Sequence, residues 1–182
     1  MIYVFFANGF EETEAIVPVD MLRRAGLEVK LVSVNDELTV TGSHGIPLKA
    51  DIMFDDANFD DAEMLLLPGG MPGTKNLDAH AGLCELLQDS AENPKIKLAA
   101  ICAAPSVFGN LGLLNGEKAV CYPGFEDQLI GATVLKEPVV VSNQFITARG
   151  AGAAMKFALK LVEVLKGKTF ADELADAIVY NK

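Results

Sequence analysis

Short, uninterrupted apolar runs alternate with stretches of helical period along almost the whole chain, and no other feature restricts its architecture so strongly. "IYVFFA" leads into "EETEAIVPVDMLRRAG" and then "EVKLVSV"; "AEMLLLPGG" leads into "HAGLCELLQDSAE" and "KIKLAAIC". "AAPSVFGNLGLL" has a helical period and "VVVSNQFITA" is again apolar. The chain then closes on "AAMKFALKLVEVLKG" and "FADELADAIVY". A strand with one wet face alternates apolar with polar residues, whereas a run apolar at every position needs cover on both faces. Strand alternating with helix therefore predicts an α/β fold: a doubly wound, mostly parallel sheet sandwiched by helices, flavodoxin-like or Rossmann-like. Gly26 and Gly167 stand where helix C-caps belong. Pro18 is expected to bend the first helix or delay its regular part. The acidic "FDDANFDDAE" reads as a solvated connection. No linker, repeat or low-complexity tract divides the chain, so residues 1–182 read as one domain.

Composition removes several functions. No apolar run approaches the roughly 20 residues that cross a bilayer. A net charge of −10 argues against nucleic acid or anionic membrane as a partner. The first residues lack a basic segment followed by a small-residue cleavage site, so a cytoplasmic location is the expectation. Three cysteines without a CxxC form neither a disulfide framework nor a zinc cage. That leaves a reactive thiol or a buried one. His80 and Cys84 have a ligand-like spacing on a predicted helix but no convergent partners, so no metal is assigned and Cys84 is expected in the core. "RGAGAA" lacks the third glycine of a dinucleotide fingerprint and reads as a closely packed helix entry. No cofactor is expected. Arg149 beside it is a candidate for an interface or an anion site, and Arg24 faces either a partner or solvent.

In open α/β sheets, ligands gather outside the carboxyl ends of the strands. Three strand-to-helix turns fall there: the glutamate-bearing loop after "IYVFFA", "PGGMPG" after "MLLL", and Cys102 after "KLAAI". A sharp turn from strand into helix holds its residue in a strained conformation with the side chain projecting. Ala99, Ala100, Ala103 and Ala104 are small enough to let the backbones approach. A helix starting just after Cys102 would direct its amides and dipole at the sulfur and favour thiolate. The amides of Gly70 and Ala103 are expected to form an oxyanion hole together. A buried structural cysteine is the alternative.

The blocks "EETEAIVPVDMLRRAG", "LLLPGG", "AAICAAP" and "ARGAGAAMKFALKLVEVLKGK" resemble, in order and spacing, those of the ThiJ/PfpI superfamily. The resemblance is closest to the branch containing the parkinsonism-associated deglycase. It implies a flavodoxin-like sandwich, a homodimer, and a reactive elbow cysteine at Cys102, with Glu14 reaching the sulfur and Gly70 and Ala103 lending amides. An ionised Glu14 would repel a thiolate and a protonated one would donate to it, so Glu14 must be neutral when the sulfur is charged. Glu11 and Glu12 read as first-turn glutamates favoured by the helix dipole.

The chain also departs from the family it resembles. The branch has a histidine where Tyr122 stands, and a phenol is a poor base at neutral pH. The protease-like branch carries a histidine after its cysteine, where this chain has Ala103. No histidine lies beyond His80 to serve an amidotransferase. Protease, amidotransferase and thiazole-phosphate biosynthesis are accordingly disfavoured. His44 matches a basic position that approaches the pocket from the partner subunit, and Cys121 is a candidate resolving thiol; Tyr122, His44 and Cys121 are accessory candidates. Three functions stay open. One is a cysteine-dependent glyoxalase or deglycase acting on 2-oxoaldehydes or their adducts. The second is an oxidative-stress sensor in which an oxidant converts Cys102 to sulfinate, and the third a chaperone-like dimer.

Overall fold

The computed structural model describes residues 1–180; the last two residues of the expected 1–182 unit lie outside the described residues. The elements, in chain order, are β1 (Ile2–Phe6), α1 (Glu12–Arg24), β2 (Val29–Ser33), β3 (Thr39–Thr41), β4 (Pro47–Lys49), β5 (Ile52–Met53) and β6 (Met64–Leu67). They continue with α2 (Gly73–Asp78), α3 (Ala81–Ala91), β7 (Lys97–Ile101), α4 (Pro105–Asn110), β8 (Lys118–Ala119) and β9 (Thr133–Val134), then β10 (Val139–Ser142), β11 (Phe145–Ala148), α5 (Ala154–Lys166) and α6 (Lys168–Ala177).

The central sheet runs β10-β11-β7-β6-β1-β2-β5. Every neighbouring pair is parallel except β10 with β11. The architecture is the α/β sandwich expected from the sequence, and β1 shows why. Ile2, Val4 and Phe6 enter one core with α1, α5 and α6. Tyr3, Phe5 and Ala7 enter the opposite core with α2, α3 and α4. Burying side chains such as Phe5 and Phe6 contributes about 2–3 kcal/mol each, which is why a strand wetted on neither face is written as a continuous apolar run.

Some elements differ from the expectation. α1 runs unbroken across Pro18, which is buried along with Ala15, Val19 and Leu22; tertiary packing overrides the missing amide. "VVVSNQFITA" is a hairpin, turning at Asn143 with φ of 50°. Asparagine tolerates that left-handed conformation. α4 occupies only six residues of its expected stretch. The acidic connection carries charge outward, but its Phe54 and Phe59 stack with Tyr3 and Phe5. Cys84 is half-buried rather than in the core, with Sγ 3.3 Å from the Asp78 carbonyl.

Candidate functional site at the carboxyl edge of the sheet

Helices change faces of the sheet between β1 and β6, and the loops leaving these two strands meet there. Gly69 O accepts from Glu11 N at 2.9 Å, and Gly9 O from Gly73 N at 3.1 Å. The loops are pressed together with no space for side chains: a Cβ on Gly70 would stand 2.4 Å from Glu11 N, and one on Gly9 2.4 Å from Pro72 Cδ. Gly70 also has φ of 93°, a region open mainly to glycine. The "PGG" doublet thus allows the close approach that directs the Gly70 amide.

Cys102 follows β7 and adopts φ of 67°, a left-handed conformation costly for a residue with a Cβ. The backbone is pinned on both sides: Cys102 N donates to Ala148 O at 2.9 Å, and Cys102 O accepts from Tyr122 N at 2.7 Å. Ala103 and Ala104 are buried, and Pro105 opens α4. The amides of Gly70 and Ala103 are directed at the sulfur.

Glu14 completes the cluster. Glu11 caps α1, accepting from Glu14 N at 2.7 Å, and sets the first turn so that the Glu14 carboxyl points inward. Glu14 is 1% exposed. Its carboxyl accepts from Gly69 N at 3.1 Å and from the Ala151 amide, and faces the Cys102 thiol. Gly69 is what lets them meet, because a Cβ there would stand 2.5 Å from Glu14 Oε2 and 2.6 Å from Cys102 Cβ.

Burial pushes the Glu14 carboxyl up to about 7, against the pull of Cys102 and the two amides. Burial, then the Glu14 charge, pushes the thiol beside it up to about 12, with the Ala103 and Gly70 amides pulling down. The pair accepts one negative charge near neutrality and a second only in strong alkali. This corrects the expectation that the helix after Cys102 favours thiolate. α4 begins three residues after Cys102 and is only six residues long, so its dipole is weak against burial. A thiolate here needs a neutral Glu14.

The structure thus brings together Cys102, Glu14, Gly70 and Ala103. The accessory candidates differ. Tyr122 is half-exposed and joined to the cluster through its amide. Cys121 is buried, and burial pushes its thiol up to about 11. His44 is engaged within its own protomer: Nδ1 lies 2.8 Å from Glu12 Oε2 and the His44 amide donates to Glu12 Oε1 at 2.8 Å. Glu12 stands in the first turn of α1 as expected and is, in addition, a buried anchor for residues 43–46. His80 caps α3, its Nδ1 accepting from Leu83 N at 3.0 Å. Arg24 pairs with Asp20 at 2.9 Å. Sequence reasoning missed Gly69, Ala151 and the cap at Glu11; of these, only the glycine doublet carried a signal.

The comparisons with known proteins agree with this fold. A protein named DJ-1 homolog B from Arabidopsis thaliana is 38% identical over 95% of this chain, which spans 40% of that relative's length. A protein named deglycase from Pyrococcus horikoshii is 33% identical over 88% of this chain and 96% of its own. The solved structure of oxidized Toxoplasma gondii DJ-1 superposes with a TM-score of 0.94 at 39% identity, covering 100% of this chain and 98% of that one. The model of the DJ-1/PfpI family matches residues 1–164, and with the elbow cysteine, the glycine doublet and the first-helix glutamate arranged as above, the chain belongs to the DJ-1/PfpI family.

Proposed function

We propose that the chain is one domain over residues 1–182, a cytoplasmic homodimer built around a reactive cysteine that adds to 2-oxoaldehydes or their adducts and responds to oxidants. The observation that carries this reading is the Cys102 sulfur, held out by a positive φ between the Gly70 and Ala103 amides and the neutral-prone Glu14 carboxyl. A relative at 33% identity is named a deglycase, which supports the carbonyl chemistry.

In the proposed reaction the Cys102 thiolate attacks the aldehyde carbon, forming a carbon–sulfur bond. The carbonyl electron pair moves to oxygen, where the two amides receive it. Glu14 carries the proton from the former aldehyde carbon to its neighbour, turning the hemithioacetal into a thioester. Water hydrolyses that thioester to a 2-hydroxy acid and returns the thiol. No imidazole assists within the protomer: His44 is tied to Glu12 and His80 to α3. Turnover is accordingly expected to be slow.

The second reading is oxidation of Cys102 by peroxide to sulfinate, two oxygens gained as two peroxides become water. Tyr122 at the family's histidine position favours it, since oxidation needs no proton shuttle. One paired measurement decides: methylglyoxal turnover by wild type and Cys102→Ser, with intact mass under graded peroxide. Turnover lost in the variant is the expected result. A gain of two oxygens at Cys102 without turnover leaves the sensor, and neither result overturns both readings.

A further inference from the structure

Beside the Cys102–Glu14 pair runs a groove of about 480 Å³ that the proposed chemistry leaves unused. Tyr122, Pro123, Pro138 and residues 150–153 form its walls, and Lys136 and Arg149 stand on its lip. The inner wall is shared with the site. A Cβ on Gly150 would lie 3.2 Å from Tyr122 Cδ2 and 3.8 Å from Glu14 Oε1, so this residue separates the groove from the carboxyl by the thickness of one backbone. The next amide, Ala151, donates to Glu14, and Tyr122 donates through its amide to the Cys102 carbonyl. Arg149 Nη1 donates to the Lys136 carbonyl at 3.2 Å, which gathers the two cations at one end. Glu126 is the carboxylate that feels both. It is exposed and accepts from the Gly124 amide at 2.6 Å, and Lys136 and Arg149 remain the two cations lining the groove.

Apolar walls with a few convergent polar groups are the usual form of a small-molecule site. We propose that this groove reads the far end of the Cys102 substrate and selects 2-oxoaldehydes, or their adducts, that carry a carboxylate on a short aliphatic chain. The aldehyde carbon sits at the sulfur, the chain passes Gly150 and the prolines, and the carboxylate meets Lys136 and the planar fork of Arg149. The inference rests on Cys102 being the group that meets substrate.

Its test uses alkylation of Cys102 by iodoacetate and by iodoacetamide. Both reagents form the same sulfur–carbon bond, expel iodide and release the thiol proton to solvent, and they differ by one carboxylate. Rates at Cys102 are read by peptide mass and divided, with N-acetylcysteine amide as the reference thiol. The acidic chain as a whole repels iodoacetate, yet the expected ratio exceeds the reference. It should fall about fivefold in Lys136→Glu combined with Arg149→Gln, and fall similarly in wild type as salt rises from about 10 mM to 0.5 M. Lys136→Met alone, which keeps the carbonyl that holds Arg149, should give a smaller drop in the same direction. In parallel, kcat/KM for 4,5-dioxovalerate should exceed that for 2-oxopentanal, and the same variants should narrow the difference. A ratio equal to the reference, or unmoved by every variant, overturns the groove. A charge-dependent ratio in a protein that turns over no oxoaldehyde supports the groove while ending the enzyme reading. Methylglyoxal turnover beside a flat ratio ends the groove alone.

Discussion

Cys102 spends about 1–3 kcal/mol on its backbone conformation, sustained by the Ala148 and Tyr122 bonds on either side. What it gains is a sulfur facing a carboxyl across a glycine. Both groups cannot be charged together near neutrality, so the proton that remains decides the chemistry. If it stays on Glu14, its O–H donates to the thiolate. Gln at that position carries no charge to hold the sulfur up, and Glu14→Gln should lower the midpoint of Cys102 alkylation by about one pH unit. A rise instead would mean that the wild-type carboxyl keeps its proton and donates it to the thiolate. Gly69→Ala tests the spacing itself. With contacts of 2.5 and 2.6 Å awaiting a methyl group, the carboxyl and sulfur must part. Loss of the Glu14 effect on the alkylation profile is the expected result, checked by repeating the Gln substitution in the Ala background. Cys102 and the glycine doublet are legible in sequence because the elbow and the tight turn demand those residue types. Glu14 is legible only through family resemblance, since the bond joining it to Gly69 spans 55 residues.

The elements were legible where one physical demand ruled. Continuous apolar runs announce strands covered on both faces, and β1, β6 and β7 follow that rule. Where two demands compete, local pattern misleads: Pro18 signals a bend or a delayed start, but α1 begins at Glu12 and runs on across it with its neighbours buried. The link between α1 and residues 43–46 was invisible for the same reason as the site, because Glu12 and His44 lie 32 residues apart. Burial alone would raise Glu12, but the His44 ring and the His44 and Ile46 amides hold it down at about 2. His44 is raised chiefly by Glu12. The lowered carboxyl contributes stability above its unfolded value of 4.5 that is lost as pH falls toward about 2. The raised imidazole contributes below its unfolded value of 6.5, and that part is lost as pH rises through the folded value. The stability difference between wild type and His44→Gln should therefore be widest between those two unfolded values and shrink on either side, as read by urea unfolding across pH. Glu12→Gln should cost about 1–3 kcal/mol at pH 6 by weakening charge-assisted bonds to a buried acceptor. A flat difference for His44→Gln would mean that the imidazole is not tied to Glu12 in solution.

At the scale of the molecule, a net charge of −10 keeps copies apart unless an apolar surface draws them together. Two exposed isoleucines mark such a surface: Ile16 on α1 is 45% exposed, and Ile46, beside the segment anchored by Glu12, is 53% exposed. They lie on the two segments that Glu12 joins. Covering each side chain removes apolar area worth about 1 kcal/mol, and a two-fold interface counts every residue twice. The proposed homodimer therefore predicts that light scattering gives about twice the 19.4 kDa chain mass at micromolar concentration. Ile16→Glu combined with Ile46→Glu should drive the protein to monomer, because each substitution sets a charge against its own copy across the axis. Glu12→Gln should weaken the dimer less, by loosening the loop without charging the surface. If the isoleucine variant remains dimeric, the interface lies elsewhere. If the wild type is monomeric even at high concentration, the Cys102 chemistry must work without a partner, and His44 then serves only its own protomer.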